Sequence, residues 1–282
     1  MTTCTIAFDS GCDMKYFPSA PAAALHLVPM KILLGDEEVI DGGAVPLSGL
    51  QQKLDNYRCK TGTACPSVGD WRHVMEESDQ VLALTISGAV SGSHQSAVIA
   101  RRLVLEEHPE KQIFVVDRTS GSGVMQFMVR RALALCREGR PLRDIARELE
   151  ESRDRYSIYF LLQNVDTLMS NGRLNPIVGR AVKALHLGLL STVSPEGTMK
   201  VVSKVRTFGK AMDRAVEECL AREGQPRHIL ITHNLNPQGA ETLKHKLLIH
   251  YPQTEVEVQE TNLLCGYYAE KGGLLLALDY GA

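Results

Sequence analysis

The amino-acid sequence predicts an α/β fold in two domains, a parallel-sheet α/β/α domain over residues 1–154 and a mixed-sheet α/β domain over residues 155–282. Three observations lead there. Short unbroken apolar runs, Val81-Leu82-Ala83-Leu84 and Ile113-Phe114-Val115-Val116, read as strands buried on both faces, the pattern of a parallel sheet. Segments with apolar residues at i, i+3, i+4 and i+7, such as Leu142, Ile145, Ala146 and Leu149, alternate with them, as crossover helices do. The length, 282 residues, is also the size at which single cores stop growing, roughly 250–300 residues.

In order, residues 3–8 alternate as a strand and stop at Asp9-Ser10-Gly11-Cys12-Asp13. Residues 27–34 and 37–41 read as a hairpin closed at Gly35-Asp36. A helix over 47–57 leads to a loop, 59–66, and to a second helix opened by Ser67. The strand at 81–84 breaks into Ser87, Gly88, Ser91, Gly92 and Ser93, then resumes as a helix carrying Ala97, Ile99, Ala100 and Leu103. The strand 112–117 is stopped by residues 119–123; a long helix follows to Arg137, and Gly139-Arg140-Pro141 breaks it. Beyond the boundary, 156–162 is a strand, 164–171 a short helix stopped by Gly172, and 176–187 an apolar helix. Strands 189–193 and 199–205 flank a turn at 194–197. Helix 208–222, strand 228–232, helix 237–250, strand 255–259 and a last strand at 274–278 complete the chain.

Composition excludes several classes. With Lys+Arg 31 against Asp+Glu 33 the net charge is -2, so the chain lacks the basic field that nucleic acid requires. No apolar run is long enough to span a bilayer, so no stable membrane insertion is expected, and Met1-Thr2-Thr3-Cys4 does not open a signal peptide. Cys4, Cys12, Cys59, Cys65, Cys136, Cys219 and Cys265 are odd in number, scattered and never spaced C-x-x-C, which suits a reduced cytoplasmic setting rather than a disulfide scaffold or zinc site.

A ligand of a parallel sheet is expected beyond the carboxyl ends of its strands, where Asp9-Ser10 and residues 87–93 and 117–123 stand. Hydroxyls gather there and nearby: Ser10, Thr63, Ser67, Ser91, Ser93, Thr119 and Ser122. The uncovered N–H groups and dipole of the helix after Ser91 to Ser93 favour a small anion. The stretch is equally an ordinary turn with Ser91 or Ser93 as N-cap, and by itself it favours that plainer reading. No dinucleotide fingerprint, Walker loop, H-E-x-x-H or G-x-S-x-G elbow is present, and the nine histidines do not pair at metal-ligand spacing. His73, His94 and His108 fall on helices; His233, at a strand end, is read as structural. No metal and no cofactor are expected. Neutral donors around a point suit binding an anion better than turning it over, since a nucleophilic serine needs a base and an orienter that spacing does not assign.

Several segments resemble successive motifs of the DegV family. These are Asp9-Ser10, Thr63-Ala64-Cys65-Pro66-Ser67, the run from Ile86 through Ser91-Gly92-Ser93-His94-Gln95-Ser96-Ala97, and Val116-Asp117. In the second half Tyr159-Phe160, Leu168, Asn171-Gly172-Arg173-Leu174, Lys204-Val205-Arg206, His233 and Asn236-Pro237 continue the match in register. The resemblance implies a bacterial, cytoplasmic, two-domain protein that binds one long-chain fatty acid. It would have no catalytic activity alone and would present the acid to a separate fatty acid kinase. By position, Thr63 and Ser91 match the hydroxyls that hold the carboxylate, supported by the backbone at Gly92 and Ser93. Arg173 and Arg206 match arginines near the mouth of the site, suited to phosphotransfer or kinase docking. The plainer alternatives are a turn residue, an N-cap and solvated surface charges.

Two departures stand out. The family loop T-S-Q-P is Thr63-Ala64-Cys65-Pro66 here, and where the family shows G-x-H-x-G-P-G, Tyr268 stands in the histidine's place. A phenol donates to a carboxylate but cannot become a cation near neutral pH. Burying an acyl chain of about sixteen carbons gains on the order of 12 kcal/mol gross. Association costs take back a large part. The head group therefore needs only its oxygens satisfied, with no fixed charge required. The expected chain lining lies in the second half: Phe160, Leu162, Leu168, Ile177, Val178, Ala181, Ala184, Leu185 and Leu189, all of which would also serve as plain core. Two other functions stay open. One is an enzyme of dihydroxyacetone-kinase-like type acting on a small keto or phosphorylated substrate. The other is a lipid-binding regulator without a kinase partner.

Overall fold

The computed structural model describes residues 4–15, 23–117 and 121–281, leaving aside the side chain of Arg153. In chain order the first half contains β1 (Cys4–Asp9), β2 (Ala23–Val28), β3 (Lys31–Leu34), β4 (Glu37–Ile40), α1 (Leu47–Asn56), β5 (Thr61–Ala64), α2 (Val68–Glu76), β6 (Gln80–Thr85), α3 (Ser93–Glu107), β7 (Gln112–Asp117), α4 (Ser122–Arg137) and α5 (Leu142–Glu151). The second half contains β8 (Tyr156–Leu162), α6 (Asp166–Ser170), α7 (Pro176–Ala184), β9 (Gly188–Val193), β10 (Met199–Val205), α8 (Phe208–Leu220), β11 (His228–His233), α9 (Pro237–His250), β12 (Glu255–Glu260), α10 (Leu263–Ala269) and β13 (Leu274–Asp279).

The expected α/β architecture is present. A four-stranded sheet runs β2-β1-β6-β7, parallel throughout, with β1 fully buried as its apolar run requires. Strand order reverses between β1 and β6, so the crevice at their carboxyl ends is the topological switch point of this sheet. A six-stranded mixed sheet, β10-β9-β8-β13-β11-β12, has only the β11–β12 pair parallel. The strands of the two large sheets divide between residues 117 and 156, yet the helices ignore that division. Helix α4 lies between the sheets, and Phe8, Leu82 and Met128 share one core with Ile158, Leu230 and Ala277. Gly123 permits the approach: a Cβ there would sit 2.7 Å from Ala277 Cβ and 3.0 Å from Leu230 Cδ2.

Four expectations are corrected. Residues 27–34 are not one strand. Pro29, which lacks an N–H, interrupts them, so β2 joins the parallel sheet while β3 turns away to pair with β4. The loop at 59–66 contains β5, whose Thr-Gly-Thr-Ala sequence carries no apolar alternation; it completes a three-stranded antiparallel sheet, β4-β3-β5, with Thr63 opposite Ile32. Helix α7 stops at Ala184, three residues short of expectation, and His186 turns the chain at φ 47°. Residues 263–269, expected as no element, form α10, because the buried carboxylate of Asp41 accepts from Leu263 N at 3.0 Å and Leu264 N at 2.9 Å. A capping group more than two hundred residues away leaves no local signal.

Candidate functional site

The switch-point crevice opens into a cavity between the halves, with about 900 Å³ of empty space counting its mouth. Its wall is mainly apolar: Met30, Ile86 and Val90 from the first half, and Phe160, Leu162, Leu168, Val193, Met199, Leu264 and Leu275 from the second. Thr63, Ser91, Arg173 and Tyr268 are polar groups that converge on it from four separate segments, and Ser87, Ser122 and Thr198 also reach its wall.

The loop after β6 owes its shape to Asp9, at the end of β1 and fully buried. Its carboxylate accepts from Gly11 N at 2.9 Å, Ile86 N at 3.0 Å and the Ser93 hydroxyl at 2.5 Å. Burial pushes the Asp9 carboxyl up to about 6, opposed by those three donors. Ser87 ties the same loop to the other half by donating to Gly197 O at 2.8 Å. Neither Ser91 nor Ser93 is the N-cap of α3; that position belongs to Gly92, which makes no side-chain bond. Ser91 Oγ accepts from Ser93 N at 3.3 Å, and among the described residues its own hydrogen has no acceptor. Ser91 thus makes a turn-type bond with its oxygen while its hydroxyl hydrogen is left for the cavity that it lines.

Thr63 and Tyr268 form a second donor. Their hydroxyls lie 2.8 Å apart and share one hydrogen, which leaves the other free to point outward. Arg173, expected near the mouth of the site, stands in the cavity wall and supplies a fixed charge beside the neutral donors. Its Nε donates to Val90 O at 3.2 Å and its Nη1 to Asn171 O, while Nη2 has no partner among the described residues. Two hydroxyl donors and one guanidinium facing an apolar hollow suit an amphiphile with a single anionic head.

Other expected site residues are placed differently. Ser93 is buried with its hydroxyl committed to Asp9, and Gly92 is exposed beside Cys65; neither lines the cavity. Arg206 is exposed, one residue beyond β10, and also lies off the wall. Of the expected chain lining, Phe160, Leu162 and Leu168 face the hollow, whereas Val178 and Leu189 pack behind it. Ile177 and Leu185 are 72% and 67% exposed and Ala184 is exposed; Ala181 is half-buried and off the wall. The cause is helical phase: α7 turns Gly179 and Val182 inward, so its apolar residues at 177, 181 and 185 share the outer face. The first-half wall has no sequence signal of its own, since Met30 falls inside the expected strand 27–34 and Ile86 and Val90 fall in the break after the strand at 81–84. Ser10, Ser67 and Ser122 serve the fold, holding Met30 N, the α2 N-terminus and buried Asp13 respectively; Thr119 lies outside the described residues. His233 is structural as read, its Nδ1 accepting from Asn236 N at 3.3 Å. Among the described residues no group of three or more His, Cys, Asp or Glu is gathered to hold a metal ion.

The model of the DegV family matches residues 3–278. A DegV domain-containing protein of Streptococcus gordonii is 30% identical over 280 residues, covering 99% of this chain and all of the relative. Among solved structures, the fatty acid kinase (Fak) B3 protein of Streptococcus pneumoniae, loaded with linoleic acid, superposes with TM-score 0.94 at 28% identity over 99% of this chain and 100% of that one. A DegV family protein of Eubacterium eligens, loaded with heptadecanoic acid, gives TM-score 0.92 at 25% identity over 99% and 100% of the two chains. With the model matched from residue 3 to residue 278, this chain belongs to the DegV family.

Proposed function

We propose that the chain binds one long-chain fatty acid and presents it to a separate fatty acid kinase, without catalysing a reaction alone. The observation that carries this is the apolar hollow ending in Thr63, Ser91, Arg173 and Tyr268. The acyl chain would lie against Phe160, Leu162, Leu168 and Leu275, and the carboxylate would accept from Ser91 and the Thr63–Tyr268 pair beside the Arg173 guanidinium. Two relatives of this fold were solved with fatty acids bound, and one is named for the kinase, which supports both ligand and partner. Arg206, outside the hollow, is assigned to the kinase-facing surface. A cytoplasmic location fits the seven free cysteines; among the described residues, no helix is long and apolar enough to cross a membrane.

Organic extraction of the purified protein followed by mass spectrometry tests the ligand. One acyl chain per protein is expected. Repeated preparations that yield none, and that also fail to take up added palmitate, overturn the reading.

A further inference from the structure

The Thr63–Tyr268 contact has a twin one step deeper. Thr61, two residues earlier on the same face of β5, places its hydroxyl 2.7 Å from that of Tyr267, the residue before Tyr268 on α10. The Tyr267 hydroxyl also accepts from Asn171 Nδ2 at 3.1 Å. The two tyrosine rings meet edge to face, centroids 5.0 Å apart at 76°, which couples the seat of one ring to that of the other. Asn171 reaches the head-group cluster as well, since its backbone carbonyl oxygen accepts from the Arg173 guanidinium. Tyr267 is 1% exposed, comes from the second half, and is packed against Ile32, Leu47 and Leu50 of the first. One buried hydroxyl thus joins the strand bearing Thr63, the helix bearing Tyr268 and the turn bearing Arg173.

We propose that Tyr267, with Thr61 and Asn171, is a positioning residue that sets the spacing between the Thr63–Tyr268 donor and the Arg173 charge, and so controls recognition of an anionic head rather than burial of the chain. The proposal rests on the fatty-acid reading of the cavity. Tyr267 does not line the hollow, so its influence on a ligand passes through these neighbours. Phenylalanine at 267 would keep the ring in its apolar seat and remove only the junction.

The test compares two ligands of equal chain length, palmitate and hexadecanol, by titration of delipidated Tyr267→Phe and Thr61→Val beside the parent. Loss of one hydrogen bond from the junction is expected to weaken palmitate about tenfold in either variant. Hexadecanol, whose head needs no matched charge, is expected to change less than about twofold, well within the effect of one lost bond. Combining the two substitutions is expected to add little, because both cut the same junction. Equal losses on both ligands, or no loss on palmitate, overturn the positioning role. Should Tyr267→Phe fail to fold, Thr61→Val alone reads the same ratio. A parent protein that binds neither ligand would overturn the fatty-acid reading itself, a result distinct from a parent that binds both while the variants keep its ratio.

Discussion

The two walls of the cavity are built on opposite principles. On the first-half side the chain is held by buried carboxylates: Asp9 orders the loop of Ser91, Asp41 starts α10, and Asp13 accepts from Ser122 Oγ at 2.5 Å, Asn262 N at 2.7 Å and Thr232 Oγ1 at 3.0 Å. On the second-half side the wall is sheet and helix packing, with Phe160 opposite both Leu275 and Ser191 in the strand register. A head group needs donors fixed to within tenths of an ångström, which hydrogen-bonded loops supply. An acyl chain needs only volume and apolar contact, which a sheet face supplies. The polar wall should therefore be intolerant of change and the apolar wall forgiving.

The largest break should come at Asp13. Asp13→Ala would strand three buried donors and is expected to cost about 3 kcal/mol of folding stability, read by urea denaturation. Asp13→Asn, which can still accept, should cost less; equal losses would show that shape rather than hydrogen bonding sets the effect.

Next in size is pH. Burial pushes Asp9 and Asp41 up to about 6, so between pH 4 and 6 the folded chain holds protons that an unfolded carboxyl, near pKa 4, has released. Their contribution to stability is complete below about pH 4 and is lost as pH rises through 6. Glu257, in the second sheet, has the opposite sign: its hydrogen bond to Arg130 holds it below the usual carboxylate range, so its contribution is lost as pH falls. Denaturation midpoints of Asp9→Asn and Asp41→Asn should accordingly vary less with pH between 4 and 6 than those of the parent. A parent curve that rises with pH across that window would reverse the assignment.

The smallest effect is expected at Ser191. It is fully buried on the face of β9 that carries Leu189 and Val193, and its hydroxyl has no partner among the described residues. Ser191→Ala should raise stability by about 1 kcal/mol, in contrast to the loss at Asp13. Destabilisation would mean that a bound water completes this hydroxyl.

Periodicity and composition determined much of this protein from the sequence alone. The apolar run at 81–84 is buried on both faces of the covered parallel sheet as expected, whereas 113–116 forms the edge strand β7 with Phe114 and Val115 only half-buried, and the hydroxyls after β6 marked the sheet's carboxyl edge. Ser91 and Thr63 were legible only through the resemblance to family motifs, since the strand-to-helix break by itself favours a plain turn and Thr63 stands in an expected loop. The tertiary structure alone decided the rest, for reasons of distance and phase. Arg173 carries no mark that separates it from Arg206, yet Asn171 and Val90 hold one in the wall while the other stands in solvent. Ile177 and Leu185 look like lining because apolarity is legible and direction is not; two inward residues of α7 set that direction. Helix α10, with Tyr267 and Tyr268, exists where a carboxylate from residue 41 meets its first amides, a contact no local pattern contains. Local sequence dictates what each segment can become, but only the packing of distant segments decides which side chains share a space.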